Sequence, residues 1–111
     1  MAKVIKPSGM PDTVSRGYSQ ARIDNDQFRI SGMVGRIGNF EPVGPDMISQ
    51  ARQAFSNIER ILLDMGKGLN DIAKVTSYLI EPRKNIKDYS SVWKETFTEP
   101  PFPCHTLIGV S

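Results

Sequence analysis

Between Asp46 and Gly68 the apolar residues Ile48, Ala51, Phe55, Ile58, Leu62 and Met65 recur at alternating spacings of three and four. Only a helix, with its period of 3.6, brings such residues onto one side. The stripe is widened by Ile61, while Gln50, Gln53, Asn57, Arg60 and Asp64 fall mostly off it. An apolar stripe of this length must be covered, so the helix is expected to pack against a sheet rather than to form a ligand box. Asp46 stands where a carboxylate can cap the first-turn amides, and Gly66 with Gly68 supplies the stop.

The flanking segments read as strands. Val4 and Ile5 form a short apolar pair that breaks up at Pro7, Ser8, Gly9, Pro11 and Asp12. Runs from Tyr18 to Ile23 and from Gln27 to Ser31 bracket Asp24-Asn25-Asp26, residues that tolerate the positive φ of a tight turn, which predicts a β-hairpin. A glycine- and proline-rich loop follows, with Gly35, Gly38, Pro42 and Gly44. After the helix, Asn70-Asp71-Ile72 reads as a turn into a strand from Lys74 to Ile80, where β-branched and aromatic residues suit a pleated surface, and Glu81-Pro82 ends it. A second helix is expected from near Asn85 to about Phe97, presenting Ile86, Tyr89, Val92, Trp93 and Phe97. This order predicts an α+β domain in which two helices cover one face of a mixed sheet.

The last segment, Pro100-Pro101-Phe102-Pro103-Cys104-His105-Thr106-Leu107-Ile108-Gly109-Val110, holds the only histidine and the only cysteine. Its prolines exclude a helix interior and lead into an extended segment from Cys104. Strand alternation then puts Cys104, Thr106, Ile108 and Val110 on one side and His105, Leu107 and Gly109 on the other. A nucleophile and its base must lie within hydrogen-bond reach, so Cys104 and His105 do not form such a pair and any partner of His105 comes from elsewhere. Cys104 reads as a small buried hydrophobe, and Trp93 as a packing residue of core or interface. With no strand after it up to Ser111, this final strand is expected to leave an edge exposed unless another chain or further residues cover it.

A chain of 111 residues, 39% hydrophobic and with no long uncharged apolar run, is expected to be a single soluble domain without a membrane span. Met1 to Pro7 has lysines but no apolar core of a leader peptide, so the expected location is cytoplasmic. One cysteine and one histidine offer neither an internal disulfide nor a metal site, and no cofactor motif is present. The net charge of +2 and the small cluster Arg83, Lys84 and Lys87 argue against nucleic acid as a partner.

Several short motifs occur in an order that resembles one family. These are Tyr18-Ser19-Gln20-Ala21, Ile30-Ser31-Gly32, Gln50-Ala51-Arg52-Gln53-Ala54, Asn57-Ile58, Asp71-Ile72-Ala73-Lys74-Val75-Thr76 and the proline-rich approach to Thr106. Together, over essentially the whole chain, they resemble the reactive-intermediate deaminase family, also called the YjgF or RidA family. The resemblance implies a chorismate-mutase-like α+β fold assembled as a homotrimer, with small-ligand clefts between subunits that would cover the free strand edge. In the deaminase branch, an arginine in a Pro-Ala-Arg-Ser or Pro-Ala-Arg-Thr motif binds the substrate carboxylate, and water hydrolyses an imine or enamine to a ketone and ammonia. Here the motif reads Pro103-Cys104-His105-Thr106, so His105 takes the arginine's place. The family's helix asparagine corresponds to Ser90, its tyrosine to Trp93 and its later cysteine to Leu107. Its late glutamate and last strand would fall beyond Ser111. Tyr18 and Ser31 match.

Arginine offers a carboxylate a planar, permanently charged fork, whereas histidine is mostly neutral at pH 7 and has one proton per nitrogen to offer. Two readings follow. In the first, His105 is the catalytic donor or acid of an imine or enamine hydrolase of altered specificity, with Tyr18, Ser31, Gly32, Ser90, Trp93 and Cys104 lining the cleft and an imine or carbonyl compound as ligand. In the second, the trimer binds a small metabolite or a protein without catalysis. RNA cleavage is a third and weaker reading, since the chain has neither a paired histidine nor a focused basic stripe.

Overall fold

The stripe is a helix, α1 (Met47–Asp64), and the Asp46 carboxylate accepts a hydrogen bond from the Ser49 amide at 2.9 Å, as a cap should. It lies at the centre of a computed structural model that describes residues 2–7, 9–38 and 41–111. The two sides of α1 serve different layers. Ala51 and Phe55 join Leu79, Tyr89, Val92 and Phe97 in one buried cluster, while Ile61 joins Ile5 and Ala21 in another. The widening at Ile61 therefore lets a single helix cover two groups of strands.

The first group is antiparallel: β1 (Ala2–Ile5), β2 (Ala21–Asp24) and β3 (Gln27–Ile30), in that spatial order. The expected hairpin is present, but its first arm starts at Ala21 rather than Tyr18 and runs on through Asp24, which pairs with Gln27. The turn shortens to Asn25-Asp26, with Asn25 at φ 59°, the left-handed conformation that a two-residue hairpin loop requires. The glycine-rich segment holds a small ladder not foreseen, β4 (Arg36–Ile37) against β5 (Glu41–Pro42). Gly35 is needed there, because a Cβ would stand 2.5 Å from the Gln50 backbone of α1. Buried Asn57 fastens the same loop by donating to the carbonyls of Val34 and Arg36 at 3.3 and 2.9 Å.

The last group is β6 (Lys74–Ile80) and β7 (Cys104–Val110), paired in parallel in the register Val75 to His105 and Ser77 to Leu107. Between them runs α2 (Pro82–Thr96), which starts three residues before the expected Asn85. Glu81, at φ 46°, turns the chain sharply out of β6, and the fixed φ of Pro82 suits a first helical position. Proline thus opens α2 as well as closing the strand. The helix lies so close to β7 that a Cβ on Gly109 would come within 2.7 Å of the Pro82 ring. An exposed Arg52–Glu95 ion pair at 2.6 Å adds a link between α1 and α2.

With antiparallel and parallel ladders and two packed helices, the fold is α+β, as expected. Among the described residues no helix is long and apolar enough to cross a membrane, and no group of side chains could hold a metal ion. In β6 buried and exposed residues alternate, while in β7 only Leu107 is half-buried and His105 stays exposed although it lies on the same side. Val75, Ser77, Leu79, His105 and Leu107 belong to the side covered by α2, whereas exposed Tyr78, Ile80, Ile108 and Val110 form an apolar outer face. Among the described residues β7 pairs only with β6, leaving its other edge open.

Candidate functional site

His105 sits where β7 passes beneath α2. Parallel pairing sets it diagonal to Ser77 on β6, and its Nε2 lies 2.9 Å from the Ser77 hydroxyl. Ser77 in turn bonds the hydroxyl of Tyr89 from α2. One helical turn on, Trp93 stacks on the imidazole, with ring centroids 3.9 Å apart and planes inclined by 14°. Tyr89 and Trp93 are four residues apart on one helix face, which is why both reach the same ring. Phe55 of α1 backs them, with centroids 6.1 Å from Tyr89 and 6.0 Å from Trp93.

Burial holds the His105 pKa below its ordinary value, and the Lys74 ammonium lowers it further. Burial holds the Tyr89 phenol above its ordinary value, an effect that its bond to Ser77 partly opposes. At pH 7 the array is therefore neutral. Because the folded chain disfavours the imidazolium, the unfolded state takes up this proton first as pH falls below 6.5. The stability linked to His105 is complete above that value and is lost on further acidification. Lys74→Gln should raise the His105 pKa by removing the like charge. Titration of the lone histidine by NMR checks this, and an unchanged midpoint would leave burial as the sole cause.

The other sequence-derived residues divide between this array and a second place. Trp93 touches His105 directly. Ser90 is half-buried on α2 and makes no side-chain hydrogen bond among the described residues. Cys104 is a correction: its thiol is exposed rather than buried, because its side of β7 is the outer face. Tyr18 and Gly32 line a separate cleft of about 100 Å³, together with Gln20, Arg36, Asn57 and Arg60. Ser31 is adjacent, and its hydroxyl donates to the Ser19 carbonyl at 2.6 Å, which fastens the start of β2 to the end of β3. No residue lining this cleft belongs to β6, β7 or α2. Within one chain, then, Tyr18 and His105 are not brought together.

Ser77, Tyr89 and Lys74 were not singled out in the sequence. A signal existed for Ser77, a hydroxyl residue on the same parity as Val75 and Leu79, where a buried polar group needs a partner. Its partner was not legible, because the parallel register between segments some thirty residues apart is a tertiary fact.

The family model described as Endoribonuclease L-PSP matches residues 10–111. The RutC family protein YjgH of Escherichia coli is 36% identical over 94 residues, covering 85% of this chain and 71% of the relative. A protein of Dermatophagoides farinae named 2-iminobutanoate/2-iminopropanoate deaminase is 30% identical over 98 residues, 85% of this chain and 73% of its own. Among solved structures, the Rid-family protein YyfA from Yersinia pestis superposes with a TM-score of 0.91 at 26% identity, covering all of this chain and 87% of its own. With a family model matched along nearly its whole length and relatives alike in both sequence and fold, the chain belongs to the Endoribonuclease L-PSP family, which is the RidA/YjgF family that its motifs resemble.

Proposed function

We propose that the chain is a single-domain imine or enamine hydrolase of altered specificity, acting as a cytoplasmic homotrimer with His105 as the donor to its substrate. The observation that carries this reading is the His105 array: a ring held between Trp93 and Ser77, neutral at pH 7, with its remaining nitrogen not bonded by any described residue. The relative named as a 2-imino acid deaminase supports the substrate class. In the reaction water adds to the carbon of the C=N group while His105 hydrogen-bonds the nitrogen. The resulting carbinolamine collapses to a ketone and releases ammonia, consuming one water per imine. No cofactor takes part.

Assembly brings the second half of the site. Tyr18, Ser31 and Gly32 of one subunit face His105, Trp93 and Ser90 of the next, with Cys104 on the opposite side of the same strand, and Arg60 gives the Tyr18 cleft a cation suited to a carboxylate. The outer face supports an assembly between copies: Tyr78 is 65%, Ile80 58% and Ile108 41% exposed, an apolar surface that needs covering. Ile108→Asp is expected to give monomers in sedimentation velocity where the parent gives trimers. A monomeric parent would remove the shared cleft.

The test of activity is ammonia release from freshly generated 2-aminoacrylate, comparing the parent with His105→Ala and His105→Arg. Turnover that falls in His105→Ala supports the hydrolase. No turnover in the parent, with gain in His105→Arg, would favour the non-catalytic binding trimer.

A further inference from the structure

The bond between Ser77 and His105 has the look of a nucleophile and its base. Ser77 cannot act as one, being 8% exposed with its hydroxyl already held between the Tyr89 hydroxyl and the imidazole. What the chain of three groups does instead is fix where a proton sits. Tyr89 is also 8% exposed, and Ser77 is its only hydrogen-bond partner among the described residues. A buried phenol needs an acceptor for its proton, so Tyr89 donates to the Ser77 oxygen. The single Ser77 proton must then turn to His105, and Nε2 must accept it. A neutral imidazole that accepts at Nε2 carries its own proton at Nδ1. The opposite polarity, with Nε2–H donating to Ser77 and Ser77 donating to Tyr89, leaves the phenol proton with no acceptor among these residues.

We infer that Tyr89 and Ser77 are positioning residues that lock neutral His105 in its Nδ1–H tautomer, so that the edge of the ring not bonded to Ser77 offers a ligand a hydrogen-bond donor. This deepens the proposed function and rests on reading His105 as the ligand contact. The ligand group it takes is an acceptor with a free lone pair, a neutral imine nitrogen or a carbonyl oxygen. A protonated iminium has no such pair and is not recognised at this edge. His105 in this tautomer is not the base that activates water. The titratable groups facing the ring are Lys74 from β6 and Tyr89 from α2. Both favour the neutral form, Lys74 by its charge and Tyr89 by holding the Ser77 proton toward Nε2.

Because the chain has one histidine, its tautomer can be read without assignment ambiguity. Protein labelled with ¹⁵N-histidine is examined by long-range ¹H–¹⁵N correlation at pH 8, in the parent and in Tyr89→Phe and Ser77→Ala, each of which keeps most of the local packing. The expected parent spectrum has a protonated, pyrrole-like Nδ1 and an unprotonated, pyridine-like Nε2. Both variants should lose this bias and move toward the Nε2–H form. A parent with its proton mainly on Nε2 overturns the inference, and so do variants that keep the parent pattern. The parent spectrum decides even if a variant fails to fold. Ammonia release is a separate readout: the expected spectrum without turnover would retain the donor edge and discard the hydrolase.

Discussion

His105→Ala is expected to lower kcat/KM for imine hydrolysis by about 10²- to 10³-fold, the range typical of losing one positioned hydrogen-bond donor. The substitution removes the imidazole N–H that would hand a hydrogen bond to the substrate nitrogen as the C=N bond is hydrated. It leaves Trp93 and Ser77 in place, so the cleft keeps much of its shape. A loss concentrated in kcat marks an interaction made in the transition state, whereas a rise in KM alone would mean that His105 only binds. His105→Arg sets a fixed charge against a neutral donor, because a guanidinium can hold a carboxylate but stays protonated at all working pH values. The reading fails if His105→Ala turns over 2-aminoacrylate as fast as the parent.

Phe55→Ala should destabilise the fold by about 3–5 kcal/mol, the usual cost of deleting a buried aromatic side chain. Phe55 is 6% exposed and meets Tyr89, Trp93 and Phe97, the last edge-on at 5.6 Å and 88°. Its loss would leave a cavity at the point where α1 and α2 are joined. Against a typical total of about 5–15 kcal/mol this is a large fraction, so urea denaturation should show a much lower midpoint with an unchanged slope. Leu63→Ala on the same helix, at a site 66% exposed, should change stability by no more than about 0.5 kcal/mol. A Phe55→Ala effect as small as that of Leu63→Ala would contradict the assigned core. Trp93 would also lose its support, so the His105 titration should shift in Phe55→Ala although residue 55 does not touch the imidazole.

Local patterns made much of this fold readable. The stripe from Ile48 to Met65, the Asp46 cap, the turn at Asn25 and the alternation in β6 and β7 each arise from residues a few positions apart, where backbone geometry alone dictates the outcome. The same locality misled at three places. Asn57 lies off the apolar stripe and is buried nonetheless, because the β4–β5 loop folds back to offer it two carbonyls. Pro82 does follow the end of a strand, as expected, but it also opens α2 three residues before the start expected near Asn85, since Glu81 takes the left-handed turn. Cys104 was read as buried, and the side of β7 on which it stands turned out to be the uncovered one.

The chemistry was divided in the same way. From the sequence alone, His105 could be chosen as the one neutral-pH acid-base group, and the parity of its strand separated it from Cys104. That parity is local and follows from the pleat. Its partners come from β6 and α2 and could not be read along the chain. Ser77 reaches Nε2 because two distant strands pair in one particular parallel register, and Tyr89 and Trp93 meet the ring because α2 packs over that pair at a separation that Gly109 permits. Sequence periodicity decides which face a residue occupies, while the choice of neighbour on that face belongs to long-range packing, where loop closure and the fit of whole elements outweigh any local preference.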